Sequence, residues 1–247
     1  MTFPDHFSRV SASYAAFRPR YPDALFDLLA AVAPAREAAW DCATGTGQAA
    51  LGLARHFARV TATDASDAQI AHATPHPQIT YRVALAERSG LEDRSVDLVT
   101  AAQALHWLDR PRFWAEARRV LRPAGVIAVW TYWFFSIEAE LDAIIRRFYK
   151  DTVGPFWPAE RRVVEDRYRT IDFPFTEFTV PGFMIEQPVT LDDVAGYIRT
   201  WSATRAYIEQ KGRDPVDGLV AELGPVWGDP AAPRLARWPL AVRAGRV

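Results

Sequence analysis

The chain has 247 residues, of which 49% are hydrophobic, and its 29 basic and 30 acidic side chains nearly cancel. This balance argues against a basic surface for nucleic acid or for anionic membranes. No uncharged apolar run approaches the roughly 18 residues that a membrane-spanning helix needs. The length is long for one α/β domain and short for two independent ones.

The first half of the chain alternates short β-type runs with helical patterns. This alternation predicts a parallel sheet with helices on both faces, and the continuous apolar runs suit strands that are buried on both sides. The predicted strands are 38–43, 59–64, 79–84, 96–103 and 126–132, and the predicted helices are 48–57, 66–73 and 112–121.

The second half is less regular, and we expect its helices to form a cap on the same domain. The predicted elements are helices 137–150, 191–211 and 215–227 and strands 175–180, 183–189 and 239–247. The charged run 161–169 is predicted to be a solvated helix face, because it mixes basic and acidic side chains.

The most specific motif is the loop DCATGTG, which runs from Asp41 to Gly47 between a predicted strand and a predicted helix. Glycine lets a ligand approach the backbone, and the helix N-terminus offers unpaired N–H donors. Asp64 ends the next strand, where a carboxylate can accept hydrogen bonds from ribose hydroxyls. The pattern fits a dinucleotide or a sulfonium nucleoside. The position of Asp41, which can help to hold a cationic group, favours the second.

The sequence resembles class I S-adenosylmethionine methyltransferases of the methyltransferase type 11 group, and most closely their trans-aconitate-methyltransferase-like branch. The segments that carry this resemblance are 7–22, 41–47, 63–66, 84–87, 91–99, 101–109, 121–125 and 197–202.

This resemblance implies a Rossmann-like fold with a mostly parallel, seven-stranded sheet, helices on both faces and a helical C-terminal cap. It also implies one domain over 1–247, with an N-terminal lid at 1–22, a cofactor-binding core at 36–135, and the cap with the remaining sheet at 137–238.

The resemblance names S-adenosyl-L-methionine as the cofactor and indicates which residues bind it. Leu85 stands where many relatives have an aspartate that accepts from the adenine amino group; Leu85 can still pack on the ring, and Glu87 is a candidate replacement acceptor. The predicted cofactor-binding residues are Asp41, Thr44, Gly45, Thr46, Gly47, Asp64, Ala65, Leu85, Ala86, Glu87, Ala102 and Gln103, with Ala104 beside them.

His106 follows the fourth strand, at the sheet edge where ligands bind. It is a candidate general base, or a hydrogen-bonding partner for a substrate carboxylate. The predicted substrate-binding residues are Tyr14, Arg18, Tyr21, His106, Trp107, Trp133 and Trp201; Arg20, Trp130, Phe134, Phe156 and Trp157 are further candidates.

We therefore expect an S-adenosylmethionine-dependent methyltransferase for a small molecule, with a carboxylate oxygen as the first candidate for the acceptor. The alternatives are a non-catalytic cofactor-binding protein and an NAD-dependent oxidoreductase. We expect no metal site, no nucleic acid and no membrane as partners, and a monomer or homodimer. A single cysteine, Cys42, and the lack of a signal-peptide pattern suit a cytoplasmic location.

Overall fold

The computed structural model describes residues 17–247. Tyr14 and most of the expected lid at 1–22 therefore lie outside the described residues. The helices are α1 (Asp23–Val32), α2 (Gln48–Ala54), α3 (Asp67–Ala71), α4 (Arg110–Val120), α5 (Ala139–Arg147), α6 (Arg161–Glu165), α7 (Leu191–Arg199), α8 (Ser202–Lys211) and α9 (Val216–Trp227). The strands are β1 (Ala38–Cys42), β2 (Arg59–Asp64), β3 (Ile79–Val83), β4 (Val96–Ala102), β5 (Leu121–Thr131), β6 (Thr176–Phe178), β7 (Phe183–Val189) and β8 (Arg234–Arg246).

The strands form a mixed sheet in the order β3-β2-β1-β4-β5-β8-β6. The first five of these strands are parallel, and β8 runs antiparallel to β5 and β6. This path confirms the Rossmann-like, mostly parallel sheet of seven strands. An eighth strand, β7, pairs with the first half of β8 from Val189↔Arg234 to Phe183↔Leu240.

Strand β8 is longer than the sequence indicates, because it begins at Arg234 rather than near position 239. Pro239 has no N–H to donate, which makes it a poor indicator of a strand interior. Pro239 lies in the half of β8 that pairs with β7, opposite Met184.

Side chains of the sheet alternate between two hydrophobic cores, as the pleat requires. Trp40, Val99 and Ile127 point to one face, where they pack with α4. Leu98 and Trp130 point to the other, where α1, α2 and the C-terminal helices share one continuous core. The cap is therefore built onto the same sheet face as the helices that flank the glycine loop.

The expected helix over 191–211 is two helices, and this corrects the sequence interpretation. Helix α7 ends at Arg199, and the Thr200 hydroxyl donates to the carbonyl of Tyr197 (2.6 Å). Trp201 then takes an extended conformation, with φ −65° and ψ 137°, before α8 begins. A side-chain hydrogen bond to the preceding turn competes with helix continuation, which explains the break.

Helix α1 is absent from the sequence interpretation, whose core begins only at residue 36. Pro22 precedes it, and the N–H that proline lacks would have no partner within the helix at this position. Leu25 and Leu29 of the helix are fully buried. Across residues 17–247, no helix has both the length and the apolar character needed to cross a bilayer.

Candidate functional site

A cavity of about 640 Å³ opens at the carboxyl ends of the five parallel strands. Open α/β sheets bind ligands at this edge, and the volume is within the usual range for a small-molecule site. The segments that reach the cavity wall are 43–46 after β1, 64–65 at the end of β2, 84–87 after β3, 102–104 after β4 and 132–133 after β5.

The loop between β1 and α2 is held in left-handed backbone conformations. The φ angles of Ala43, Gly45 and Gly47 are 53°, 57° and 90°. The Thr44 N–H donates to the carbonyl of Thr63 (2.9 Å), and the Gly47 N–H donates to that of Thr44 (3.0 Å). The neighbouring strand thus fixes the loop, and Thr44, Gly45 and Thr46 line the cavity.

The two glycines of this loop are needed for different reasons. A Cβ on Gly47 would lie 2.3 Å from the Tyr81 hydroxyl oxygen, whereas a Cβ on Gly45 would meet nothing closer than Gln69 Oε1 at 3.7 Å. Gly47 therefore serves packing and is not among the residues that line the cavity. Gly45 leaves open space within the wall, which a ligand can approach.

Asp64 joins the glycine loop to the end of β2. Its Oδ2 accepts from the N–H of Gly45 (2.8 Å), and its Oδ1 accepts from the N–H of Ser66 (2.9 Å). A carboxylate has about four lone-pair sites. Asp64 can therefore hold the loop and accept further hydrogen bonds from a ligand in the cavity, which it lines together with Ala65.

Asp41, which is predicted to help to hold a cationic ligand group, lies beneath the glycine loop rather than at the cavity wall. It is fully buried and is not part of the cavity wall. Its Oδ2 accepts from the hydroxyl of Thr44 (2.5 Å), and its Oδ1 accepts from the hydroxyl of Thr100 (2.7 Å). Burial raises the pKa of Asp41 to about 6, although these two hydrogen bonds act to lower it.

We expect Asp41→Asn to change how stability depends on pH. Because the folded-state pKa exceeds that of the unfolded chain, Asp41 stabilises the fold at low pH, and this contribution is lost as the pH rises through about 6. We expect the free energy of unfolding of Asp41→Asn, taken relative to that of wild type, to be higher at pH 7.5 than at pH 5 by about 1–2 kcal/mol. Urea unfolding at the two pH values measures this difference. Exposed Asp151→Asn is the control. Parallel pH profiles for wild type and Asp41→Asn would contradict the prediction.

The segment after β3 forms one side of the cavity. Leu85, Ala86 and Glu87 all line it, and the Leu85 side chain is 50% exposed. A half-exposed leucine at the rim of a cavity offers an apolar surface on which a flat ring can pack. The carboxylate of Glu87 is the one acidic side chain that this segment brings to the wall.

Gln103 follows β4 with a φ of 53°, an uncommon value for a residue other than glycine. Its Nε2 donates to the carbonyl of Tyr132 (2.7 Å), and its Oε1 accepts from the hydroxyl of Thr131. The Gln103 side chain thus ties the end of β4 to that of β5. Ala102 and Ala104 line the cavity on either side of it.

His106 and Trp107 lie in a short 3₁₀ turn after β4, and both line the cavity. The His106 Nδ1 is 2.8 Å from the hydroxyl oxygen of Tyr168, a residue that the sequence interpretation did not single out. No local pattern could have found this contact, because the two residues are 62 positions apart.

The protonation of His106 argues against the general-base role considered from the sequence. Burial, together with the smaller effects of the positive charges of Arg161, Arg18 and Arg110, lowers the pKa of His106 to about 3. A general base works best with a pKa near the operating pH. A neutral His106 is instead suited to hydrogen bonding with a substrate.

Two of the three N-terminal residues predicted to bind the substrate lie within the described part of the chain. Arg18 and Tyr21 line the cavity, where Arg18 Nη1 donates to the hydroxyl of Tyr132 (3.3 Å). The ring of Tyr21 packs edge-on against that of Trp130, with 5.4 Å between centroids. Tyr14 falls outside the part of the chain that the structure describes.

The tryptophans divide between the cavity and the core. Those that line the cavity are Trp107, Trp133, Trp157 and Trp201. Trp130 and Phe134 are buried in the core instead, and Phe156 packs on the ring of Tyr207 at 5.0 Å. Trp157 and Trp201 come from the cap, whereas Trp107 and Trp133 follow β4 and β5, and together they give the cavity an aromatic wall that includes the predicted Trp107, Trp133 and Trp201.

Arg161 is a cavity residue, which corrects the prediction of a fully solvated helix face over 161–169. It begins the short helix α6, and its Nη2 donates to the carbonyl of Trp133 (2.9 Å). Its Nε donates to the hydroxyl of Tyr149 (3.0 Å), and its guanidinium lies 4.4 Å from the centre of the Trp157 ring. These contacts fix the side chain against the aromatic wall. Arg205, from α8, lines the same cavity.

Among the residues that the structure describes, no group of three or more His, Cys, Asp or Glu side chains is arranged to hold a metal ion.

Comparison with known proteins places the site in a family context. The methyltransferase domain family matches residues 40–129, which run from within β1 to within β5 and include the cavity segments that follow β1, β2, β3 and β4. A Dictyostelium discoideum protein named as a methyltransferase is 34% identical over 216 residues, which cover 86% of this chain and 82% of the relative.

The solved structure of a protein described as a type II methyltransferase, from Anaeromyxobacter dehalogenans, is 49% identical, with a TM-score of 0.88. The match covers 93% of this chain and 98% of that one. A malonyl-[acyl-carrier protein] O-methyltransferase of Hahella chejuensis is 41% identical over 91 residues, which cover 34% of this chain and 33% of the relative. The matches to the Dictyostelium discoideum and Anaeromyxobacter dehalogenans proteins extend into the cap, whereas the match to the Hahella chejuensis protein covers only about a third of the chain.

Proposed function

This chain belongs to the S-adenosylmethionine-dependent methyltransferases, and from that premise we propose that it methylates a small anionic acceptor at a carboxylate oxygen. The single observation that carries this proposal is a cavity with aromatic walls that is lined by His106 together with Arg18, Arg161 and Arg205. Family membership also removes the NAD-dependent oxidoreductase from the alternatives.

The residues at the cavity wall fit the cofactor of this family. The open space at Gly45 and the carboxylate of Asp64 lie side by side, as close approach to a nucleoside and its ribose hydroxyls requires. Residues 44–46 would hold the methionine part, Asp64 the ribose, and residues 85–87 the adenine. When bound, the cofactor supplies an activated methyl group on a sulfonium that leaves as a neutral thioether.

The charges around His106 indicate an anionic acceptor. Arg161 and Arg18 both line the cavity, and both help to lower the pKa of His106, after the larger effect of burial. A positive potential that disfavours a protonated imidazole favours a carboxylate at the same place. Guanidinium groups also match carboxylates in geometry, because both are planar and can form paired hydrogen bonds.

A carboxylate acceptor also agrees with the protonation of the site. Carboxylic acids are ionised at neutral pH, since their reference pKa lies near 4. Their oxygen can therefore attack without a general base, and His106, with a pKa of about 3, is not needed as one. The chain has to align the acceptor and exclude water, which suits the wall formed by Trp133, Trp157 and Trp201.

Two further observations bear on the proposal. The Hahella chejuensis relative is named for methyl transfer to an oxygen of a malonyl group, which supports oxygen as the acceptor atom. The single cysteine, Cys42, is buried as a free thiol, and this suits the reducing cytoplasm that we propose as the location.

The test is a turnover screen with labelled cofactor against carboxylic acids, phenols and amines of similar size. We expect carboxylic acids with an apolar body to be methylated, and Arg161→Met to raise their KM about tenfold to a hundredfold. The affinity for S-adenosylhomocysteine should not change. Exposed Arg162→Met, one residue further along α6, is the matched control and should behave as wild type.

Turnover of phenols or amines with no methylation of carboxylic acids would refute the carboxylate assignment. Binding of the cofactor without methylation of any compound in the screen would favour the alternative of a non-catalytic cofactor-binding protein.

A further inference from the structure

Tyr149 is a buried residue that supports the cavity wall from behind. It is 7% exposed and does not line the cavity. It belongs to a π-helical turn, Phe148–Thr152, that follows α5, and single turns of this kind are frequent at functional sites. Its ring packs on those of Trp157 and Trp201 in the aromatic wall, with 4.9 Å and 5.6 Å between centroids.

The Tyr149 hydroxyl lies between the guanidinium of Arg161 and the carboxylate of Glu165. The Arg161 Nε donates to the hydroxyl oxygen (3.0 Å), and the hydroxyl donates to Oε1 of Glu165. Both directions follow from the groups themselves, because a guanidinium can only donate and an ionised carboxylate can only accept. Arg161 and Glu165 stand one turn apart in α6, so this short helix brings both side chains to the same hydroxyl.

This arrangement leaves the positive charge of Arg161 without a carboxylate partner. Among the residues that the structure describes, Arg161 forms no ion pair, and its hydrogen-bond partners are the Tyr149 hydroxyl and the carbonyl of Trp133. Both partners are neutral. A neutral partner accepts a hydrogen bond without adding a negative charge, so Arg161 keeps its attraction for an anion in the cavity.

The same contacts determine which nitrogen of Arg161 can reach a ligand. Nε donates to Tyr149 and Nη2 donates to Trp133 (2.9 Å), whereas Nη1 makes no hydrogen bond to any residue of the range 17–247. The Trp157 ring lies against the guanidinium, with its centre at 4.4 Å. A guanidinium is planar and rigid, so two fixed nitrogens also fix the third. Because Arg161 lines the cavity, Nη1 is the donor group that it can offer there.

We propose that Tyr149 and Glu165 are positioning residues that hold Arg161 so that its Nη1 group donates to the carboxylate of the acceptor. The part that concerns the acceptor rests on the proposed function above, whereas the arrangement of the three side chains does not depend on any substrate. Neither positioning residue lines the cavity, so each acts on the acceptor only through Arg161. Without the Tyr149 hydroxyl, Arg161 is free to turn toward Glu165 and away from the acceptor.

The role of Tyr149 is tested by kinetics with a carboxylic acid that the screen shows to be methylated. We expect Tyr149→Phe to raise the KM for this acid about three- to tenfold, with kcat within about twofold, because a hydrogen bond to the acceptor is already made in the ground state. Binding of S-adenosylhomocysteine should be unchanged. Tyr207→Phe is the matched control, since Tyr207 is also buried and its hydroxyl accepts from a different arginine, Arg213.

A double-mutant cycle decides whether Tyr149 acts through Arg161. In the Arg161→Met background, Tyr149→Phe should leave the KM unchanged, because no guanidinium remains to be positioned. An equal rise in KM in both backgrounds would show a general effect on the aromatic wall, and it would overturn the proposal. An unchanged KM for Tyr149→Phe in the otherwise wild-type chain would overturn it as well.

The role of Glu165 is tested by two variants at an exposed position. Glu165→Gln keeps an oxygen that can accept from Tyr149, so its KM should equal that of wild type. Glu165→Ala removes the acceptor and should raise the KM about two- to fivefold. Glu160→Ala, which removes an exposed carboxylate just before α6, is the control. A wild-type KM for Glu165→Ala would remove Glu165 from the proposal.

The arrangement itself is tested without substrate by NMR of the Arg161 Nε–H, whose signal is assigned by its loss in Arg161→Met. We expect slow exchange of this proton with water in wild type, and exchange about tenfold faster in Tyr149→Phe. Fast exchange in wild type would overturn the arrangement, and this result stands even if Tyr149→Phe does not fold. Slow exchange in a protein that methylates no carboxylic acid would instead refute the proposed function and leave the arrangement intact.

Discussion

Replacing Gly45 by valine is expected to weaken the binding of S-adenosylhomocysteine by about a hundredfold or more while the chain still folds. The φ angle of Gly45 is 57°, and a Cβ at this position would have Gln69 Oε1 as its nearest neighbour, at 3.7 Å. A β-branched side chain therefore meets little protein, but it is strained at this φ and fills the space that a ligand would approach. Isothermal titration measures the loss, and a circular dichroism melt checks the fold.

A glycine outside the cavity separates backbone strain from blocked binding. Gly90 has a φ of 72°, and a Cβ there would meet nothing within 4 Å. Gly90→Val should therefore carry a similar strain and bind S-adenosylhomocysteine as the wild type does. Equal affinities for Gly45→Val and wild type in folded protein would show that this loop is not the cofactor site.

Replacing Asp64 by alanine is expected to weaken the binding of S-adenosylhomocysteine about tenfold to a hundredfold, because hydrogen bonds to a charged acceptor contribute about 1.5–3 kcal/mol. The Asp64 carboxylate has two roles, since it accepts from the N–H of Gly45 (2.8 Å) and faces the cavity. Alanine removes both the support of the loop and the proposed acceptor for the ribose. Titration with S-adenosylhomocysteine is again the measurement.

Two further variants separate these roles. Asp64→Asn keeps the shape and one acceptor oxygen, so its affinity should fall between that of Asp64→Ala and wild type. Asp67→Ala removes an exposed carboxylate from the first turn of α3 and should bind normally. An unchanged dissociation constant for Asp64→Ala would remove Asp64 from the cofactor site.

The Gly45 and Asp64 variants should not be additive. The two residues share a hydrogen bond, and residues in direct contact usually show coupling energies of about 0.5–3 kcal/mol. A double-mutant cycle should therefore give a smaller loss than the sum of the single losses. Full additivity would indicate that the two residues act at separate places.

The sequence by itself determined the sheet and its ligand-binding edge. The glycine loop, Asp64 and the apolar runs of β4 and β5 are local features, because a turn, a strand ending and an alternation each depend on neighbours in the chain. Parallel strands bring their carboxyl ends to one edge, so locally predicted segments meet there without further information. For this reason Gly45 and Asp64 could be expected at one cavity from the motif alone, whereas Leu85 and Gln103 were expected there through the family resemblance.

Only the tertiary structure decided what each side chain does at that edge. Asp41 belongs to the same motif as Gly45, yet its carboxylate is buried and accepts a hydrogen bond from Thr100, which is 59 residues away. Arg161 looks solvated in a charged run, but it is fixed by Trp133, and the hydroxyl of Tyr168 reaches His106 across 62 residues. Burial and charge then move the pKa of Asp41 and of His106 in opposite directions. Such contacts depend on how distant segments pack, and local propensity and periodicity carry no record of that packing.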